Sequence, residues 1–351
     1  MTSSPNISIA AHIIPETGSS VQTPGWQKEL AEGFSRVAEL LAYLQIEPSA
    51  VTDHSRANAQ FPLRVPREFA ALMTKGDPRD PLLLQVLPSA HEMARPAGFT
   101  IDPVGDGEAK QRPGLLQKYH GRILIIATGA CAVHCRYCFR RHYPYTGATA
   151  SDSQWDVILD YLRANPQIEE VILSGGDPLM MHDGKLGRWL RQLEGLPQIA
   201  RLRIHTRLPV VLPQRITEEL LATLEACRLN TAMVIHANHP SELSAGVAVA
   251  LAAVRGAGVT LLNQSVLLRG VNDSCDTLVR LSTRLFEIGV LPYYLHLLDR
   301  VEGAAHFELD AAACRSLQRQ LLTRLPGYLM PRMVRETAGV PYKKSIDGCP
   351  D

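Results

Sequence analysis

The sequence has no strong excess of either charge, few aromatic residues, no membrane-length apolar run and little cysteine. Lys and Arg total 36 against 35 Asp and Glu, a formal net charge of +1. A nucleic-acid or anionic-membrane partner calls for a basic excess, so no nucleic acid and no membrane is expected as partner. The apolar-rich stretch Leu243 to Val254 is too short to span a bilayer and carries serine and glycine. The opening MTSSPNISIAAHIIPETGSS has no basic segment followed by a long apolar core, so it reads poorly as a secretion signal. A cytoplasmic protein is expected. The seven cysteines are too few, and odd in number, for a disulfide scaffold. What is present is globular: 351 residues, 46% hydrophobic and 20% charged, enough for one large domain or two ordinary ones.

Residues 1–24 are rich in Ser, Thr, Pro and Gly and read as a loosely ordered tail. Trp26, Leu30, Phe34, Val37, Leu41 and Leu44 recur at spacings of three and four, which predicts one amphipathic helix. A second helix is expected after Val65-Pro66-Arg67, with Phe69, Leu72 and Met73 inward. Residues 77–115 are dense in Pro and Gly, and the N-terminal helical region 25–116 ends there. The pattern then changes. Apolar runs occupy Arg122–Thr128, Glu170–Ser174, Arg201–Thr206, Thr231–His236, Val259–Leu268 and Pro292–Leu298, with helical spacing between them. These are six βα units, so a parallel α/β fold is expected over 117–330, either an open doubly wound sheet or a barrel. Residues 331–351 form a short C-terminal segment.

The distinctive polar residues fall at the carboxyl ends of these runs, where both parallel architectures place their sites. Cys131 follows the first, Ser174-Gly175-Gly176-Asp177 ends the second and His205-Thr206-Arg207 the third. His236-Ala237-Asn238-His239 ends the fourth, Gln264-Ser265 lies in the fifth, and Asp299 follows the sixth. Cys131, Cys135 and Cys138 lie within eight positions. Zinc with His134 or His142 as fourth ligand is one reading of this trio, and a disulfide with one thiol left over is another. An iron–sulfur cluster fits better, because three thiolates leave one iron open for a small molecule. Cys227, Cys275 and Cys314 read as structural; Cys349 has no assignment.

The pattern C-x3-C-x2-C, with an aromatic residue before the last Cys, resembles the signature of radical S-adenosylmethionine (SAM) enzymes. Their fold is a full or partial (β/α) barrel, so the resemblance implies a partial (β/α)6 TIM-like barrel here, with a mainly helical N-terminal region. Further segments resemble lysine 2,3-aminomutases. They are Phe61-Pro-Leu-Arg-Val-Pro-Arg, Gly76-Asp-Pro-Arg-Asp-Pro-Leu, Cys131–Arg141, Ser174-Gly-Gly-Asp-Pro, Ile235-His-Ala-Asn-His-Pro and Asn263-Gln-Ser-Val-Leu-Leu-Arg-Gly-Val-Asn-Asp, with Asp299, Gly303 and His306-Phe307. That family uses a [4Fe-4S] cluster, SAM and pyridoxal 5′-phosphate (PLP) to move the α-amino group of L-lysine to the β-carbon. The Val340-Pro341-Tyr342-Lys343 ending looks like the branch whose β-lysine, implied to be the R form, serves modification of elongation factor P by its lysyl ligase.

The resemblance implies the roles that follow. Cys131, Cys135 and Cys138 hold the cluster, which an electron-donor protein reduces. Ser174, Gly175, Gly176 and Asp177 lie beside SAM, where glycines admit close backbone approach and Asp177 accepts from the ammonium. His236 and Gln264 also match positions around SAM. PLP needs a lysine whose amine is neutral when it attacks. Residue type does not choose between Lys343 and Lys344; the motif register selects Lys343. Arg122 matches an arginine near the PLP phosphate. Arg140 matches the arginine that binds the substrate carboxylate as a bidentate fork, whereas Arg141 reads as a solvated member of a basic loop. Asp299 and Glu336 match the anions that receive the substrate ε-ammonium, and they argue against an anionic substrate such as glutamate. A 2,3-aminomutase acting on another amino acid, a non-catalytic iron–sulfur or zinc module, and a radical SAM enzyme without PLP are the remaining alternatives. Longer relatives have a C-terminal extension used in assembly; this chain stops eight residues after Lys343, so a homo-oligomer is an option that the resemblance does not fix.

Overall fold

The computed structural model describes residues 25–346; the tail expected over 1–24 and Cys349 lie outside the described residues. One ten-stranded sheet organises the chain. Its strands are β1 (Lys110–Arg112), β2 (Leu115–Tyr119), β3 (Arg122–Thr128), β4 (Glu170–Gly175), β5 (Arg201–Thr206), β6 (Asn230–Ile235), β7 (Thr260–Val266), β8 (Leu291–His296), β9 (Arg332–Arg335) and β10 (Lys344–Ser345). The six apolar runs read from the sequence are β3 to β8, to within two residues at either end. To these the structure adds a parallel β9 and the antiparallel β1, β2 and β10.

Strand order distinguishes the two parallel architectures. Neighbours in the sheet are neighbours in sequence from β1 to β10. A doubly wound sheet reverses its order at a switch point, and no reversal occurs here. Right-handed crossovers that always step the same way place the helices on one face, and the sheet curls around the other. Side chains near its two ends meet as a result: Lys118 Nζ on β2 lies 3.1 Å from Glu336 Oε1, just past β9. The fold is a partial barrel. Along β5, Leu202, Ile204 and Thr206 are buried and alternate with the less buried Arg203 and His205. In the outer layer Trp155 and Trp189 stack with centroids 3.9 Å apart, joining helices Asp152–Ala164 and Asp183–Glu194.

The N-terminal region departs from the expected single helix. Two helices form, Gly25–Ala31 and Val37–Tyr43. Between them Phe34 and Val65 exchange both backbone hydrogen bonds, at 2.7 and 3.0 Å. A side chain at Gly33 would meet the Val65 carbonyl at 2.9 Å, so glycine permits this crossing. The apolar spacing still marks a buried face, because Trp26, Phe34, Val37, Leu41 and Leu44 are all core residues. The helix expected after Pro66 is Arg67–Ala71, with Phe69 buried.

Candidate active site

β3 delivers the chain to the cysteine loop at the carboxyl end of the barrel. The Cys138 amide donates to the Cys135 carbonyl at 3.0 Å, and the Arg141 amide to the Cys138 carbonyl at 3.2 Å, which turns the loop back on itself. All three thiols are free. Burial, reinforced by Cys138, Asp177 and Cys135, pushes the Cys131 thiol well above its ordinary value. Burial and the neighbouring Cys135 take Cys138 up to about 11. Three thiolates gathered here are costly until a bound cation offsets them, which is the chemistry of a metal-cluster site. Among the described residues no three His, Cys, Asp or Glu side chains are placed to hold a single metal ion; thiolates on different irons of a cluster stand farther apart. The two histidines considered as a fourth ligand are engaged elsewhere. His134 Nδ1 lies 2.8 Å from the Pro62 carbonyl and His142 Nε2 lies 3.1 Å from the Glu302 carbonyl.

The loop is bolted to the N-terminal region. Glu92 is wholly buried between Arg136 (2.5 Å) and Arg141 (2.6 Å). Burial would raise its carboxyl, but the two guanidiniums outweigh that and hold it below the usual range. Arg141 is therefore no solvated loop residue: it is 7% exposed and also donates to the Gly303 carbonyl. Its ion pair with Glu92 was invisible to local reading because the partners stand 49 positions apart.

Ser174-Gly175-Gly176-Asp177 closes β4 against the same loop. A side chain on Gly176 would meet the Ala130 carbonyl at 2.3 Å, and one on Gly175 the Thr128 carbonyl at 2.4 Å. The glycines thus admit the cysteine loop's own backbone, through Gly176 N to Thr128 O at 2.7 Å and Asp177 N to Ala130 O at 2.8 Å. Asp177 differs from its expected role too. Its oxygens accept from Thr206 Oγ1 and from the amides of Leu179, Arg207 and Leu208. Those donors fill its acceptor positions, so Asp177 fixes the ends of β4 and β5 rather than presenting a free carboxylate.

Inside the barrel the remaining expected residues meet. His236 Nε2 and Gln264 Nε2 are 2.6 Å apart at the ends of β6 and β7. Burial, then Arg207, takes His236 down to about 3, so the imidazole is neutral. Arg140 donates Nε to Asp106 (2.6 Å) and a terminal nitrogen to Ser174 (3.1 Å). Asp106 also pairs with Lys118 (2.6 Å), Lys118 with Glu336 (3.1 Å), and Glu336 with Lys343. This chain of alternating charge runs from the cysteine loop to the C-terminal segment. Burial would raise Glu336, but Lys343 and Lys118 take it down to about 2. Asp299 has the opposite fate: burial and the nearby Glu336 raise it to about 7. Lys343 Nζ lies 5.9 Å from the Tyr294 ring centre, and the Arg122 guanidinium 4.7 Å from that of Tyr119. Tyr119 itself lies beside Glu336.

Arg122 Nε, His205 Nε2, His296 Nε2 and Asp299 Oδ1 are buried with no hydrogen-bond partner. His205, His296 and Asp299 all feel the charge of Lys343. Buried polar groups are ordinarily paired, so unpaired donors and acceptors around one lumen mark room for a polar ligand there. Sequence reading missed Glu92, Asp106, Lys118 and His296. The first three gain their importance from partners distant in sequence, and His296 from its place near Lys343; the Ser89-x-x-Glu92 spacing signals a helix cap and not the ion pairs with Arg136 and Arg141.

Comparison with known proteins places this geometry. The radical SAM superfamily model matches residues 125–281. An L-lysine 2,3-aminomutase of Escherichia coli (strain K12) is 47% identical over 341 residues, covering 96% of this chain and 98% of that protein. One from Haemophilus influenzae is 45% identical, covering 94% and 98%. That of Clostridium subterminale is 33% identical, covering 90% of this chain and 76% of the longer relative. With such identity along nearly the whole length, the chain belongs to the L-lysine 2,3-aminomutase family of the radical SAM superfamily, whose members work with a [4Fe-4S] cluster and SAM.

Proposed function

We propose that this chain is a PLP-dependent radical SAM aminomutase that converts L-lysine to β-lysine. The observation that carries the reading is the barrel lumen, where Lys343, Glu336 and the unpaired Asp299 oxygen lie together at the end of a charge chain leading to Arg140. Cys131, Cys135 and Cys138 would hold the cluster, with Ser174, Gly175, Gly176, His236 and Gln264 beside SAM. Lys343 would anchor PLP, and Arg122, with its free Nε, would face the phosphate. When bound, the cluster with SAM supplies a carbon-centred radical and PLP carries the migrating amine.

The chain's own residues select and hold the substrate. Asp106 fixes Arg140 through Nε and Ser174 engages one terminal nitrogen, which leaves the other terminal nitrogen to meet a carboxylate. At the far end, Asp299 and Glu336 favour a cationic side chain over a neutral or anionic one. Glu336 is shared between Lys118 and Lys343, so Lys118 continues to balance it when Lys343 is engaged elsewhere. Half-buried, neutral His205, His236 and His296 line the space without adding charge. In the narrower reading the product is (R)-β-lysine, used by a lysyl ligase to modify elongation factor P in the cytoplasm, with an electron-donor protein reducing the cluster. The support for it is the Val340-Pro341-Tyr342-Lys343 segment.

The test is an anaerobic assay with iron, sulfide, PLP, SAM, a strong reductant and isotopically labelled L-lysine, read by mass spectrometry. Labelled β-lysine is expected, and Cys135→Ala or Lys343→Ala should abolish it. 5′-Deoxyadenosine without β-lysine would make lysine the wrong substrate. Neither product from cluster-loaded protein would sink the reading.

A further inference from the structure

Arg207 follows β5 and is 6% exposed. Apart from its charge helping to keep His236 neutral, no role described so far uses its side chain. One terminal nitrogen donates to Cys135 Sγ and to Tyr137 Oη, both at 2.8 Å. The other donates to Gln85 Oε1 at 2.7 Å and to Glu242 Oε2 at 2.9 Å. Glu242 is wholly buried, and its second oxygen accepts from Gln85 Nε2 and from the amides of Asn238 and His239. The carboxylate is thus fixed on its far side, and the guanidinium is stretched between it and a cysteine sulfur. The result is an oriented ion pair whose positive end touches Cys135.

A cluster bound to the three cysteines gains negative charge when it is reduced. Charge and hydrogen bonds at the ligating sulfurs are the protein's main means of moving its potential. A guanidinium touching the sulfur stabilises the reduced state more than the more distant carboxylate destabilises it. Burial strengthens both effects, because little water screens them. We propose that Arg207, held by Glu242, raises the reduction potential of the cluster through Cys135 and so eases the electron transfer that starts the reaction. The inference rests on the assignment of the cluster to Cys131, Cys135 and Cys138.

The experiment compares reconstituted wild type with Arg207→Gln, Arg207→Lys and Glu242→Gln. Iron and sulfide content are measured first, then the midpoint potential by redox titration followed by electron paramagnetic resonance. Arg207→Gln should lower the midpoint by the equivalent of at least a tenfold change in the reduction equilibrium, about 59 mV for one electron. Glu242→Gln, which removes the negative partner and keeps the cation, should move it the opposite way. Arg207→Lys should stay near wild type. A fully loaded Arg207→Gln protein with an unchanged midpoint overturns the proposal, as do shifts of one sign in all three variants. If neither Arg207 variant loads and Glu242→Gln leaves the midpoint unmoved, the side chain only holds the loop and the proposal fails. Wild-type protein that takes up no iron and sulfide would overturn the cluster assignment itself, an outcome distinct from these.

Discussion

Asp299 is the residue whose environment is most at odds with its chemistry. Its carboxyl is raised to about 7 by burial and by Glu336, while one oxygen has no donor. In an unfolded chain the same group titrates near 4. Between those limits the folded protein keeps a proton that the unfolded chain has lost. Ligand-free stability therefore falls as pH rises through that window. A cationic ligand end beside Asp299 favours the ionised form, so binding lysine releases the proton. The KM for lysine should accordingly fall as pH climbs through 7. Asp299→Asn should flatten that profile and raise KM by about tenfold to a hundredfold, the range of a charge-assisted hydrogen bond. A KM of Asp299→Asn that tracks the wild-type profile would refute the assignment. Asp299 was legible in the sequence as a polar residue after a strand. Its raised carboxyl was not, because that depends on burial in the folded barrel and on Glu336 arriving from 37 positions away.

At the scale of elements, the glycine turn after β4 and the cysteine loop after β3 are one structural unit. The Ala130 carbonyl occupies the place where a side chain on Gly176 would stand, and both partners there are backbone. Backbone contacts of this kind cannot yield as a flexible side chain does. Gly176→Ala should therefore displace the segment leading into Cys131 and cut iron and sulfide uptake severely, while far-ultraviolet circular dichroism stays close to wild type. Full cluster loading in that variant would show that the loop is seated by something else. β3 and β4 were readable as runs of Val, Ile and Leu, and β5 to β8 as shorter apolar stretches that each lead into a polar motif. β9 and β10 were not: Arg332-Met-Val-Arg335 is half charged and Lys344-Ser345 has no apolar residue, so pairing alone defines them. The break at Gly33 escaped for a related reason, since periodicity reports which face is buried and not whether the helix is continuous.

Among the described residues the N-terminal region and the barrel share one hydrophobic core, running from Trp26 and Phe34 through Leu82 and Leu83 to the barrel residues up to Val290, while Leu267, Leu295, Leu317 and Met333 belong to a second cluster. Trp26 lies against Arg215, whose guanidinium is 4.9 Å from its ring. The polar counterpart of this join is Glu92, which reaches from the N-terminal region to Arg136 and Arg141 of the cysteine loop. Neutralising Glu92 leaves two buried guanidiniums sharing no anion, a situation that costs about 3–5 kcal/mol when a buried pair is broken. Glu92→Gln should lower unfolding stability by that order in chemical denaturation. Because one core spans the N-terminal region and the barrel, the loss should move a single transition. Tryptophan fluorescence, which samples Trp26 in one region and Trp155 and Trp189 in the other, should shift together with circular dichroism. The same variant should release its cluster more readily, since the loop carrying Cys135 and Cys138 loses its anchor on the side facing the N-terminal region. Separation of the two probes into distinct transitions would show instead that the N-terminal region unfolds independently and that Glu92 stabilises only a local contact.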